Sequence, residues 1–194
     1  MAVIAHASVV EYFREQVEGA LIGQRIPAAG ETAHYVVRLL ADVVRSDGSC
    51  AAAAFLDPRP LAIRLADALD DRCPDQGRAL RGVADAALLL GGFFASRAGA
   101  RGVPPAYYHR VGGFAYGTLG QEPQVMAATF KDLAARFAQY ADALGEVALR
   151  AEMQSSSGLL RALEAWERSA DRRTERLLVE RGVVLERGQR RRLQ

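Results

Sequence analysis

The sequence predicts an all-α fold, a single-domain irregular bundle of seven or eight helices around a central Gly-rich helical hairpin. Three observations predict it. Ala, Leu and Arg abound while alternating β-branched residues are scarce, a composition of strong helix formers. Apolar residues recur at three- and four-residue steps in one segment after another, which is the period of a helix face. The stretch Gly82–Gly120 joins the longest apolar run to two Gly pairs, a Pro pair and a Tyr-Tyr-His cluster, so two helices are expected to meet there at close range.

At 194 residues the chain is long enough for one substantial core, expected over residues 1–186 and followed by a basic flexible tail over 187–194. Net charge is +2, but from Asp171 onward eight Arg face four acids, which makes the C-terminus the basic end. Lys131 is the only lysine.

Taken in order, Ser8 and Glu11 form an S-x-x-E capping box for a first helix with Val10, Phe13, Val17, Ala20 and Leu21 inward. A second helix is expected over Glu31–Arg45, with Val36, Leu39, Leu40 and Val43 inward and Asp47-Gly48 as its stop. Ser49–Asp57 is undecided between a helical turn, an extended piece and a loop. Asp57-Pro58 reads as an N-cap acid followed by Pro at the first helical position, opening a helix with Leu61, Leu65, Ala68 and Leu69 on its face.

The hairpin begins with a helix over Leu80–Phe94 that is apolar nearly all round in its second half, as a helix inside a bundle is. Its uncharged run, Ala86–Ala95, is far short of the roughly 20 residues a membrane span needs. Gly99, Gly102 and Pro104-Pro105 break it and start a partner helix over Pro105–Leu119, along which Gly112, Gly113 and Gly117 leave a patch without side chains. Each interior helical Gly costs about 1 kcal/mol relative to Ala. Either a close helix crossing or a flat ligand against bare backbone has to offset that.

Pro123–Ala151 carries a heptad seam of Met126, Phe130, Leu133, Phe137, Tyr140, Leu144, Val147 and Ala151, expected as one long helix packed within the chain or, alternatively, as a homodimer contact. Ser155-Ser156-Ser157-Gly158 reads as linker and N-cap for a helix with Leu159, Leu163 and Trp166. Asp171 starts a last one, with Leu177 and Leu178 before Gly182.

The candidate ligand-binding residues lie along the hairpin: Asp85, Gly91, Gly92, Tyr107, Tyr108, His109, Gly113 and Tyr116. The tyrosines and His109 would supply polar tips at the mouth of an apolar pocket. Asp85 is the acid to watch, since burial without a partner would raise its pKa, although Arg81 one turn earlier favours an ordinary surface i,i+4 pair.

No catalytic residue is nominated, and enzyme activity is not the leading expectation. The chain has no P-loop, dinucleotide fingerprint or G-x-S-x-G. His6, His34 and His109 stand too far apart for HExxH or a Glu-x-x-His pair, so no metal site is predicted, and no cofactor is identified beyond the option of a haem ligand at His109. Cys50 and Cys73 have no CxxC or disulfide spacing, which fits a reducing cytoplasm. The N-terminus lacks the basic region of a signal peptide, and no segment calls for a membrane.

Asp85, Gly91-Gly92-Phe93-Phe94, Tyr107-Tyr108, Gly113, Ala115-Tyr116, Trp166 and Leu177-Leu178 together resemble a family of all-helical bacterial proteins of about this length with no known activity. The resemblance implies a bacterial, single-domain helical protein. The functional expectation is a non-enzymatic cytoplasmic adaptor or regulatory protein that binds a macromolecular partner, a protein above all, through helical surfaces. A small-molecule-binding protein or enzyme with its pocket in the Gly82–Gly120 hairpin is the alternative. Nucleic-acid binding through Arg187, Arg190, Arg191 and Arg192 is a further one.

Overall fold

The computed structural model describes residues 2–45, 57–99 and 102–185. Among these it is all helical: nine helices of nine residues or more and one five-residue helix, slightly more than the seven or eight expected. The chain divides into two compact units, residues 1–147 and 148–194. The tail 187–194 and the undecided stretch up to Leu56 lie outside the described residues.

In the first unit, α1 spans Ala2–Gly23 and packs on α2, Gly30–Arg45. Ser8 falls inside α1 and not at its N-cap, because Ala2–Ala7 contains no Gly or Pro to stop the helix extending upstream. The third helix, α3, starts at Leu61 behind Pro60 and ends at Leu69. Asp57 does not cap it. Its carboxylate is turned onto Arg59, accepting from the backbone N–H at 3.0 Å and from Nη2 at 2.8 Å.

The hairpin is α4, Gln76–Gly91, a short α5, Ala95–Gly99, and α6, Pro105–Gln121. Asp75 caps α4 by accepting from the Arg78 N–H at 3.0 Å, one turn upstream of the first apolar residue that the periodicity picks out. Helices α4 and α6 form the most extensive pair, and α6 in turn packs on α7, Ala127–Ala135. Leu88, Ala87, Ala115 and Tyr116 are fully buried between them.

The glycines explain how the helices come so close. A Cβ on Gly112 would stand 2.3 Å from the Phe137 ring, and one on Gly92 only 2.7 Å from the Ala141 carbonyl oxygen. Phe137 and the backbone of the next helix therefore fill the space that those two residues leave bare. Gly113 and Gly117 differ, with nothing nearer than 3.9 Å.

The heptad seam is buried from Phe130 to Val147 within the first unit. It is not one helix. Arg136, at φ −120°, ψ 25°, separates α7 from α8, Phe137–Glu152. Nothing in Ala135-Arg136-Phe137 breaks a helix locally. The bend coincides with the tertiary contact of Phe137 on Gly112 and with the Arg136 guanidinium folding back on Asp132.

The second unit contains α9, Ser156–Ser169, packed on α10, Arg172–Glu180. Ser155 caps α9 through the Gly158 N–H at 3.1 Å, and Asp171 caps α10 through the Thr174 N–H at 2.9 Å, as the sequence predicts. Met153, Ala162, Trp166, Leu177 and Leu178 form its own small core. No described helix is long and apolar enough to cross a membrane.

Candidate functional site

Asp85 is the chemical centre of the first unit. It lies where α4 turns its polar residues away from the Leu88–Leu89 core, and it is 4% exposed, so it is not the surface acid that an Arg81 pair alone suggests. Two hydroxyls donate to its Oδ1, Tyr35 from α2 at 2.6 Å and Tyr116 from α6 at 2.6 Å. Arg81 Nε donates to the Tyr35 hydroxyl at 3.0 Å and stands 3.7 Å from Asp85 Oδ2, while its guanidinium lies 5.0 Å over the Tyr35 ring. The result is a relay from Arg81 through Tyr35 to Asp85, with Tyr116 closing it from the far side.

Burial raises the Asp85 pKa above the ordinary carboxyl value, against the opposing pull of Tyr116, Tyr35 and Arg81. Burial and the neighbouring carboxylate likewise raise both tyrosines, which stay protonated and serve as donors. Asp85 Oδ1 and the two buried hydroxyls are therefore all hydrogen-bonded. Such saturation rigidifies a core.

The relay opens onto a cleft of about 600 Å³. From α2 it takes Tyr35, Arg38, Leu39 and Asp42, spaced as one helix face. From α4 it takes Gly77, Arg78, Arg81 and Asp85, and Leu119, Gln124, Met126 and Phe130 complete it. Leu39, Leu119 and Phe130 are buried and give it an apolar wall. Arg38 has no hydrogen bond or ion pair among the described residues, and the terminal nitrogens of Arg81 make no hydrogen bond there.

Of the candidates from the sequence, Asp85 and Tyr116 meet at this centre and the others lie elsewhere. Gly91 packs on the Tyr108 side chain, and His109 sits 5.8 Å from the Phe137 ring. Tyr107 accepts a hydrogen bond from the Ala62 N–H at 2.9 Å, satisfying a free donor in the first turn of α3. Tyr107 and Tyr108 line a different cleft of about 780 Å³ with Leu61, Arg64, Pro104 and Arg110. There Arg59 holds the Asp57 carboxyl down at about 2 through its hydrogen bonds. Gly92 and Gly113 line neither cleft.

Sequence reasoning passed over Tyr35, Arg38, Asp42 and Gln124. A usable signal was present, since Tyr35-x-x-Arg38-Leu39-x-x-Asp42 sets polar residues on the face beside a buried one, but their partners are about 50 residues away. Arg187, Arg190, Arg191 and Arg192 lie outside the described residues. No group of three or more His, Cys, Asp or Glu side chains that could hold a metal occurs among the described residues.

A second polar centre fastens α2 to α7. Asp132 accepts from the Tyr140 hydroxyl at 2.6 Å and from Arg136 Nε at 2.7 Å, and Thr32 also bonds to it. Burial pushes the Asp132 pKa up, but the Tyr140 and Thr32 hydroxyls and the Arg136 guanidinium outweigh it, leaving the carboxyl below its ordinary value. A depressed carboxyl contributes stability above its unfolded pKa of about 3.9, and that contribution is lost as pH falls through the folded value. Asp132→Asn is therefore expected to lower Tm at pH 7 and to lose its difference from the parent protein progressively as the pH falls below the unfolded pKa of about 3.9. A constant difference across an acid titration of Tm would contradict this.

No protein-family model, curated protein or solved structure matches the chain.

Proposed function

We propose that the protein binds a small organic molecule in the cleft between α2, α4 and the α6–α7 junction, without transforming it. The observation that carries this is the fixed state of Arg81. Its Nε donates to Tyr35 and its guanidinium stands over that ring, while its terminal nitrogens, in a cleft of about 600 Å³, make no hydrogen bond among the described residues. That volume is in the range of ligand sites, which join an apolar wall to a few oriented polar groups.

Catalysis is not part of the proposal, because two tyrosines already donate to the buried acid and no Ser, Cys, His or Lys lines the cleft. The adaptor reading has no observation of the same weight behind it. Exposed apolar side chains such as Ile22, Ile63 and Phe114 fall on three different helices, and scattered residues of that kind are ordinary.

Gly77 provides the test. It lines the cleft, and a Cβ there would meet nothing within 4 Å, so Gly77→Phe is expected to fold and to obstruct the site. A fragment screen read by Tm should return compounds that stabilise the parent protein and not this variant. If every stabilising compound acts equally on Gly77→Phe, or none is found, the proposal fails.

A further inference from the structure

Resting on that reading of the cleft, we infer that its ligand is an amphiphilic organic anion, whose carboxylate or phosphate head is held by Arg38 and Arg81 and whose apolar body lies on Leu39, Leu119, Met126 and Phe130. The cleft is lined by three guanidinium groups, Arg38, Arg78 and Arg81, against two carboxylates. One of those, Asp85, is engaged by two hydroxyls. The other, Asp42, stands 3.9 Å from Arg45 on its own helix. The lining thus carries one guanidinium more than it has carboxylates, and the exposed Arg38 has no counter-ion among the described residues.

The two arginines are suited to different parts of the task. Arg81 is preorganised. Tyr35 accepts from its Nε with its ring 5.0 Å from the guanidinium carbon, and Tyr35 is itself held by Asp85, so part of the side-chain freedom of Arg81 is already lost before binding. A guanidinium fixed in this way presents its remaining donors as a planar fork, the geometry that matches two oxygens of one oxyanion. Arg38 is exposed on α2, three residues along the same face from Tyr35, and lines the same cleft.

A cation would meet excess like charge, and a neutral ligand would leave Arg38 without a counter-charge. The apolar part of the lining argues against the bare ion as the natural occupant, since inorganic phosphate would make no use of the Leu39, Leu119, Met126 and Phe130 atoms that face the cleft. An eight-carbon chain with a single charged head matches both halves of the lining.

Calorimetric titration of the whole protein with octanoate, octyl phosphate, octanol, octylamine and inorganic phosphate tests this. Octanoate or octyl phosphate is expected to bind at least roughly tenfold tighter than octanol, octylamine or phosphate, the scale of one charge-assisted hydrogen bond. Preference between the two anions then assigns the head as carboxylate or phosphate. Arg38→Met and Arg81→Met, which keep the side-chain stem, should each lose roughly tenfold for the preferred anion and nothing for octanol. Because Arg81→Met also removes a partner of Tyr35, the Arg38 variant, on an exposed residue outside the relay, keeps the test free of folding effects. Octanol binding as tightly as both anions, blocked by Gly77→Phe, would overturn the anion inference and leave the cleft standing. Anion binding unchanged in Gly77→Phe would overturn both.

Discussion

Asp85→Ala is expected to destabilise the protein by about 2–5 kcal/mol, because it leaves the Tyr35 and Tyr116 hydroxyls buried with no acceptor and removes the charge nearest Arg81. At roughly 2–4 °C per kcal/mol for a domain of this size, that is a fall in Tm of about 10 °C. Tyr116→Phe removes one donor and leaves Asp85 with Tyr35, so it should cost less than the alanine variant. If Asp85→Ala melts with the parent protein, the relay is not a stabilising element. Asp85→Asn adds a pH test. The folded pKa of Asp85 is raised, so its contribution is fully present below the unfolded value of about 3.9 and is lost as pH rises through the folded one. The parent protein should thus exceed Asp85→Asn by more at pH 4 than at pH 8. A difference that grows with pH would refute the assignment.

The second large effect separates two adjacent glycines. Gly112→Ala places a methyl group 2.3 Å from the Phe137 ring and 2.8 Å from the Ala87 side chain, and overpacking of this kind costs about 1–3 kcal/mol. Gly113→Ala meets the Ala134 carbonyl oxygen at 3.9 Å and the Phe137 Cβ at 4.0 Å, ordinary contacts, so the gain in helix propensity of about 1 kcal/mol is unopposed. One variant should lower Tm and its neighbour should raise it. Equal shifts of the same sign in denaturant unfolding would mean that Gly112 is not the point of closest approach.

That contrast also marks how far the sequence could be read. Helix periods placed nearly every helix and its inward face, since that signal is local and Val36, Leu88, Phe130 and Leu144 repeat it faithfully. The caps at Ser155 and Asp171 were legible for the same reason. Asp57 and Ser8 misled, because a capping residue matters only where the helix begins, and α3 begins later while α1 begins earlier. The site itself was half legible. Asp85 and Tyr116 stand out on the hairpin, but Tyr35 and Arg38 acquire their meaning only when α2 is laid beside α4, a juxtaposition that no spacing within 10 residues encodes. Gly112 and Gly113 are identical in sequence terms, and only the position of Phe137 tells them apart.

The placement of the aromatic residues gives each compact unit its own optical reporter. Trp166 is the only tryptophan and belongs to the core of residues 148–194, whereas all six tyrosines lie in residues 1–147. Emission excited at the red edge of the indole band therefore follows the smaller unit, and tyrosine ellipticity in the near ultraviolet, with the lone indole contribution removed, follows the larger one. No label or truncation is needed. In Asp85→Ala the tyrosine transition should move to lower temperature, and whether the indole transition moves with it tells whether the two cores melt as a single cooperative system.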